Sequence, residues 1–377
     1  MVQPTPCRGI MKKNGESEGT KMIIVYQTNE NGELLIFKDT FEQPVIERIV
    51  PRSWTHLIEP TEAEIRKVSE ATRISETILR TALDEEETAH VDSEGDVTII
   101  VVDTPILQPD TDHFRVNHFY TIPLILFFNK DYFVTSSIRR DYVVPSLTQK
   151  MMKNLNTSHH FKLTIQLLYR NASMFVHLLK QLDRESEQVQ SGLQESLQNE
   201  ELFKLMNLGK SLVYLSTGLN ADLVVMERLR KIEEFKLFPE DVALLDDAMI
   251  ENRQAIEMCS IHREIINGTM DAYASVISNN MNTVMKTLTV VTIALSIPMI
   301  VAGFFGMNFI LPFSQTAGFW WAIVISAVLA LLVGIFLARY TNHLKFRWGM
   351  PKNLFGLPKR HRPGKKRKNN SSKSERT

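Results

Sequence analysis

Two uncharged apolar segments near the C-terminus limit the folds open to this chain more than any other feature. Residues 287–305 are apolar apart from scattered Thr and Ser, and residues 319–340 carry no charge before Arg339. Each segment is long enough to cross a bilayer as a helix, which takes about 20 residues. Residues 309–318, between them, contain no ionisable side chain. We therefore predict transmembrane helices over residues 284–305 and 319–340, joined by a tight external loop over residues 306–318.

A long helix is predicted before the first segment, because no proline occurs between Pro239 and Pro298. A continuous helix of roughly 60 residues is about 90 Å long, which exceeds the thickness of a membrane. We expect residues 239–283 to project into the cytosol as a stalk. Its predicted inward face has the heptad period of helices that pack around an axis. That face comprises Val242, Leu245, Met249, Asn252, Ile256, Cys259, Arg263, Ile266, Met270, Tyr273 and Ile277.

The same alternation continues into the first membrane segment, where the stripe becomes polar, small or thioether in character. Its members are Asn282, Met285, Thr289, Thr292, Ser296, Met299 and Gly303. A polar stripe in lipid must face protein or water. Helix packing also uses small and hydroxyl residues, so the periodicity leaves both interpretations open. Because two helices cannot enclose a water-filled path, a pore would require several copies of the chain.

The first two thirds of the chain predict a soluble α/β domain. Residues 1–21 lack the apolar core of a signal peptide and are expected to form a disordered lead. Residues 22–145 alternate strand and helix patterns, including a hairpin around Asn31-Gly32 and a helix capped by Thr61 with Glu64 at its third position. Residues 146–238 repeat apolar side chains at helical spacing and predict a helical layer over the sheet. Predicted strands cover residues 22–26, 34–37, 54–57, 97–102, 122–128 and 132–136, and predicted helices cover residues 76–83, 161–182 and 202–229.

The distribution of charge predicts the topology. Lys286 lies at the start of the first span, Arg339 lies at the end of the second, and Lys345 and Arg347 follow it, so we expect both termini to be cytoplasmic. Residues 341–377 form a basic tail whose polybasic cluster, residues 359–368, suits anionic lipid headgroups better than nucleic acid. Cys7 and Cys259 provide neither a disulfide framework nor metal-ligand spacing.

An enzyme is not expected, since the sequence contains no phosphate-binding glycine loop, nucleophile elbow or zinc-ligand helix. The adjacent pair His159-His160 is predicted to lie in a polar loop.

Residues 273–279, 282–289 and 298–308 together resemble the membrane segment of the CorA magnesium channel family. That family has a Gly-Met-Asn signature at the end of its first membrane helix, where this chain has Gly306-Met307-Asn308. The resemblance implies a homopentamer in the cytoplasmic membrane that takes up Mg²⁺, driven by membrane potential and gated by cytosolic Mg²⁺. The alternatives are a zinc, cobalt or nickel transporter of the same fold, and a non-conducting membrane-tethered sensor or scaffold.

The resemblance also implies roles for individual residues. Gly306, Met307 and Asn308 would form the selectivity filter, although an Asn there also suits a helix C-cap. Regulatory Mg²⁺ would bind Asp247 with Asp246, facing Asp84 and Glu86 of a neighbouring subunit. Two departures from the family pattern are the absence of an acidic residue in residues 309–318 and the presence of Thr81 where an acidic partner is usual; an ordinary solvated helix end also explains the acidic run. The implied pore-lining residues are Asn282, Met285, Leu288, Thr292, Ser296, Met299 and Gly303.

Overall fold

The structure is a computed structural model of the chain and divides into two compact units, residues 1–274 and residues 275–377. It describes residues 22–29, 32–38, 45–108, 118–151, 155–195, 199–236, 238–305 and 316–347. The predicted disordered lead, the tip of the first hairpin and the basic tail beyond Arg347 lie outside these residues.

A seven-stranded mixed sheet forms the centre of the first unit, with the strand order β2-β1-β3-β7-β6-β5-β4. Strands β3 and β7 pair in parallel and the other neighbours are antiparallel. The predicted first hairpin is confirmed, because β1 pairs with β2 from Ile24 opposite Lys38 to Thr28 opposite Leu34. The strands are β1 Met22–Thr28, β2 Leu34–Lys38, β3 Trp54–Ile58, β4 His90–Glu94, β5 Val97–Gln108, β6 His118–Phe128 and β7 Phe133–Ser137.

Helices cover both faces of this sheet. On one face α1 (Glu62–Thr72) and α2 (Glu76–Leu79) bury apolar side chains against β1, β5 and β6. The predicted capping box of α1 is confirmed: the Thr61 hydroxyl accepts a hydrogen bond from the Glu64 amide, and the Glu64 carboxylate accepts one from the Thr61 amide at 2.8 Å. The predicted helix over residues 76–83 is instead α2 followed by a 3₁₀ turn, Arg80–Leu83.

The second face is covered by α3 (Val143–Met151), α4 (His160–Glu195) and α5 (Asn199–Leu229). This confirms the predicted helical layer. Sequence patterns missed α3, which is short, and β4, whose HVDSE sequence is too polar to indicate a strand.

The prediction of a polar loop at His159-His160 is wrong for His160. This residue begins α4, and its ring packs among Phe128 and Phe133. Its Nδ1 lies 2.9 Å from the carbonyl oxygen of Asn129, and burial lowers the pKa of the imidazole. Adjacent histidines are polar in sequence, but the tertiary fold buries the second of them.

The long helix α6 (Pro239–Phe305) begins in the first unit, where its heptad stripe has a different role from the one predicted. The stripe does not form an open inward face for neighbouring stalks. Its buried members, including Cys259, Ile266 and Tyr273, pack against α4 and α5 of the same chain. Asn252 is also buried, and its side chain donates a hydrogen bond to the carbonyl of Leu219 on α5 at 2.8 Å. The heptad spacing of α6 therefore reflects packing within one chain as far as Tyr273.

The second unit contains the end of α6 and the helix α7 (Thr316–Arg347). Among the described residues, α6 contains a segment that is long and apolar enough to cross a membrane, and none of that segment is buried. A shorter apolar stretch, Ile323–Leu337, lies within α7. Both helices fit transmembrane helices, which confirms the predicted fold class of an α/β domain followed by a long helix and a C-terminal membrane segment.

Candidate ion-conduction site

The predicted filter residues Gly306, Met307 and Asn308 lie outside the described residues, because the described part of α6 ends at Phe305. The features that the structure does describe are the helix that leads to the filter and the carboxylates predicted to sense Mg²⁺.

The membrane part of α6 has two different faces. One face, which includes Ala294 and Ile297, is partly buried, and it is directed toward α7. The two helices come close at Gly334 of α7, where an added Cβ atom would lie 3.7 Å from the Cβ of Ala294. At about 100° of rotation per residue, the predicted pore-lining positions are centred roughly 180° away from this face. They are exposed in the single chain, apart from the partly buried Ser296.

The hydroxyl groups on this predicted pore face donate their protons to their own helix. Thr289 donates to the carbonyl of Met285, Thr292 to that of Leu288 and Ser296 to that of Thr292, each at 2.8 Å. A hydroxyl that donates in this way keeps its oxygen lone pairs free to accept other hydrogen bonds. The face therefore presents acceptor oxygens, which suit the protons of water bound to a cation.

The predicted sensor carboxylates differ in their surroundings. Asp247 is exposed and makes no ion pair among the described residues. Asp246 forms a two-point ion pair with Arg230, with Nε–Oδ1 at 3.1 Å and Nη2–Oδ2 at 3.4 Å. Arg230 directly follows α5 and reaches α6 only through the tertiary fold, so no local sequence pattern predicts it as a partner.

The acidic run after α2 is exposed apart from Glu87, and Asp84 accepts a hydrogen bond from the amide of Glu86 at 2.9 Å. The Thr81 hydroxyl donates to the carbonyl of Ile78 at 2.8 Å. Across the described parts of one chain, no three His, Cys, Asp or Glu side chains come together as a metal-binding group. The predicted regulatory site would therefore need residues from two subunits.

Two carboxylates that sequence patterns did not single out, the buried Asp222 and the half-buried Asp103, lie where α4 and α5 meet the sheet. Asp222 on α5 accepts hydrogen bonds from the Asp103 amide at 2.8 Å and from the Asn171 side chain at 2.9 Å. Burial raises the pKa of Asp103 to about 6. Burial, reinforced by repulsion from Asp103, holds the pKa of Asp222 well above its usual range. An Asp in the middle of the apolar strand β5 was the available signal for this cluster.

Comparison with known proteins shows what this chain is similar to. The Cobalt/magnesium transport protein CorA of Methanocaldococcus jannaschii is 26% identical over 291 residues, which is 76% of this chain and 89% of that protein. The complete structure of the CorA magnesium transporter from the same organism matches with a TM-score of 0.67 at 22% identity, covering 84% of this chain and 97% of that one. The full-length CmaX protein matches with a TM-score of 0.62 at 16% identity, covering 86% and 100% of the two chains.

These structural matches show a shared fold, and the family assignment has its own support in the sequence. The family described as CorA-like Mg²⁺ transporter protein matches residues 52–339, which include strands β3 to β7, the helical layer, α6 and most of α7. This chain belongs to the family of CorA-like Mg²⁺ transporter proteins.

Proposed function

We propose that copies of this chain surround a pore that carries Mg²⁺ across the cytoplasmic membrane. The observation that carries the proposal is the two-faced membrane part of α6. One face approaches α7, and the opposite face combines amide, hydroxyl and thioether groups with free acceptor oxygens. A face of this kind is unfavourable against lipid and favourable against water.

The chemistry of this face suits a hydrated cation. Mg²⁺ prefers near-octahedral oxygen coordination and gives up its water reluctantly. Neutral oxygens can accept hydrogen bonds from the water around the ion without removing it. A ring of Asn308 amides at the end of the path would select the hydrated ion by the size and the dipole arrangement of the ring. Gly306 would permit the sharp turn that brings the amide to the axis, and Met307 would pack behind it.

Membership of the family and the similarity to a cobalt/magnesium transport protein support Mg²⁺ as the cargo. The driving force in this proposal is the membrane potential, because the sequence offers no phosphate-binding loop for nucleotide hydrolysis. The chain would act as a transporter and not as an enzyme. Zinc, cobalt and nickel are the alternative ions, and a flux assay distinguishes them.

The proposed assembly is a homopentamer with α6 around the axis, α7 outside and both termini in the cytoplasm. A second exposed stripe of α6 supports contacts between subunits. Ile250, Ile261 and Ile265 are 62%, 49% and 45% exposed, and they lie on the side of α6 that does not pack against α5. The basic tail would bind anionic lipid headgroups at the cytoplasmic surface.

Regulation would come from the carboxylates. Asp247 and Asp246 would face Asp84 and Glu86 of a neighbouring subunit, and these groups would repel one another when empty. A bound Mg²⁺ would bridge them and favour a closed assembly, provided that it binds the closed state more tightly than the open one.

The test is ion uptake into liposomes that contain the purified full chain. Wild-type protein should admit Mg²⁺ down a potential gradient without nucleotide. Asn308→Ala should abolish uptake, because it removes the oxygen ring and little packing volume. Asn267→Ala, which changes an exposed Asn of α6 outside the membrane segment, is the matched control and should conduct normally.

Size-exclusion chromatography should show the same assembly for wild type and both variants. Normal uptake by Asn308→Ala would contradict the filter assignment. Uptake of zinc without uptake of magnesium would identify zinc as the transported ion. A wild-type protein that admits no ion would favour the non-conducting sensor or scaffold.

A further inference from the structure

A cavity of about 410 Å³ opens in the first unit where α5 ends and α6 begins, and of its lining residues only Arg230 and Met249 have been described above. Its volume lies within the roughly 300–1,000 Å³ that is typical of small-molecule sites. Four of its lining residues are cations, one is an acid and one is a buried thioether. The lining comprises Glu227, Arg230, Lys231, Lys236, Met249 and Arg253.

Local structure holds the cations in place. After α5 ends at Leu229, the backbone continues through a turn into a 3₁₀ helix, Glu233–Lys236. Phe235 anchors this segment, since it is buried and its ring packs edge-on to Phe161 with centroids 4.8 Å apart. Cations near the C-terminus of a helix are favoured by its dipole, which explains some of the basic composition. The dipole of α5 does not explain Arg253, which belongs to α6 and faces the same cavity.

The existing ion pairs leave donors unused. Arg230 binds Asp246 through Nε and Nη2, Arg253 binds Glu227 through Nη2 at 3.3 Å, and Lys236 binds Glu233 at 2.9 Å. An arginine has five N–H donors, so both side chains keep donors for a second acceptor. Lys231 makes no ion pair among the residues that the structure describes. The pairs themselves are exposed, and such pairs contribute only about 0–1 kcal/mol each, so a multivalent anion can displace them.

We propose that this cavity is a binding site for a soluble polyphosphate, such as a nucleoside triphosphate. Guanidinium groups bind phosphate oxygens in pairs, and ammonium groups add point charges. Four cations around one cavity exceed what a single phosphate or carboxylate group needs. Met249 lines the cavity with an apolar side chain that is 4% exposed, so it offers only a small apolar contact to a ring such as a nucleobase.

Calorimetric titration of the full chain in a phospholipid-free, non-ionic detergent tests this site. The probes are ATP, AMP and inorganic triphosphate in magnesium-free buffer, and the protein carries a neutralised tail (Lys365→Gln, Lys366→Gln, Arg367→Gln and Lys368→Gln). This background removes four of the seven cations of the competing polybasic cluster. Both triphosphates should bind more tightly than AMP, and ATP should bind more tightly than inorganic triphosphate if its base contacts Met249.

Substitutions should change the affinity in opposite directions. Lys231→Gln and Arg253→Gln should each weaken triphosphate binding roughly tenfold, because each removes a charged donor worth about 1.5 kcal/mol. Asp246→Asn should strengthen binding several-fold, because it releases Arg230 from a competing carboxylate. Lys210→Gln is the control, since Lys210 lies over the Tyr214 ring on α5 and outside the cavity.

The absence of triphosphate binding at millimolar concentration would overturn the proposal. Binding that survives Lys231→Gln and Arg253→Gln unchanged would overturn it as well, because the ligand would then occupy another surface. Tight binding of anionic phospholipid in nanodiscs, with no affinity for soluble triphosphate, would also overturn the proposal. It would indicate that the cavity binds a lipid headgroup. None of these results depends on ion flux, so the outcome is independent of the proposed transport function.

Discussion

Asp103 and Asp222 show how the tertiary fold changes the chemistry of single residues. Their backbone and side-chain contacts join β5 to α5, and Asn171 of α4 completes the network by donating to the Asp103 carbonyl at 2.8 Å and to Asp222 at 2.9 Å. Gly218 permits this close approach, because a Cβ there would lie 2.9 Å from the Cβ of Asp103. Two neighbouring carboxyl groups that are shielded from water resist ionisation, since each carboxylate would lose its hydration.

Replacing Asp103 should stabilise the fold at neutral pH. The folded-state pKa of Asp103 is raised to about 6 from 3.8, so its ionisation lowers stability as pH rises through that interval. At about 1.4 kcal/mol per pKa unit, Asp103→Asn should add roughly 2–3 kcal/mol at pH 7 and little at pH 4. The backbone hydrogen bonds of residue 103 remain in this variant.

Thermal unfolding of the full chain in detergent, followed from pH 4 to pH 7, measures the effect. The unfolding midpoint of wild type should fall relative to that of the variant as pH rises. Asp96→Asn, which changes an exposed acid in the turn between β4 and β5, should follow wild type. A constant difference between Asp103→Asn and wild type at every pH would contradict the assignment.

At the scale of an element, helix α6 presents three different surfaces. Its heptad stripe packs inside the chain as far as Tyr273, its membrane part approaches α7 at Ala294, and the face opposite α7 presents Met285, Met299 and hydroxyl oxygens. Helix α7 is simpler, because its apolar side chains, such as Val324 and Leu331, are exposed over most of its surface. This difference supports an inner position for α6 and a lipid-facing position for α7 in the proposed assembly.

Single cysteines can test this arrangement of helices. In a background with Cys7→Ser and Cys259→Ala, a cysteine at Ser296 or Met299 should form disulfides between subunits after mild oxidation. A cysteine at Val324 or Leu331 should not, although both positions are exposed in one chain at 49% and 62%. Non-reducing gels measure the dimer fraction, and crosslinks confined to the α7 positions would reverse the order of the helices.

At the scale of the whole molecule, the proposed path and the proposed sensor both require several copies of the chain. Two membrane helices cannot surround water, and within its described residues one chain does not assemble three metal ligands. Transport and its proposed regulation therefore both belong to the assembly. The ion pair between Asp246 and Arg230 makes the two neighbouring sensor acids unequal, because Asp246 already has a partner while Asp247 is exposed.

We expect Asp247→Asn to weaken inhibition by internal Mg²⁺. Oxygen-ligand sites of low affinity respond at about 0.1–1 mM, and removing a carboxylate should move the inhibition midpoint to higher concentration. Adding Asp246→Asn should extend this shift only modestly, since Arg230 already neutralises Asp246. Glu257→Gln, an exposed acid further along α6, is the control. The measurement is current against internal Mg²⁺, and an unchanged midpoint in the double variant would rule out this sensor.

Sequence by itself determined the features that depend on local periodicity and on segment composition. Apolar, β-branched runs predicted β1, β5, β6 and β7, the Thr61 and Glu64 spacing predicted a cap, and uncharged segments predicted the membrane helices. These patterns are readable because strand and helix periods act on neighbouring residues, and because hydrocarbon excludes charge.

Only the tertiary structure decided which surface each pattern serves. The heptad stripe of α6 was compatible with an axis or with a neighbouring helix, and the position of α5 makes it an internal contact. Three other features also depend on segments that are distant in sequence. They are the burial of His160, the raised pKa values of Asp103 and Asp222, and the ion pair between Arg230 and Asp246. Such features depend on long-range packing, which sets the hydration and the charge around a side chain and which no local pattern records.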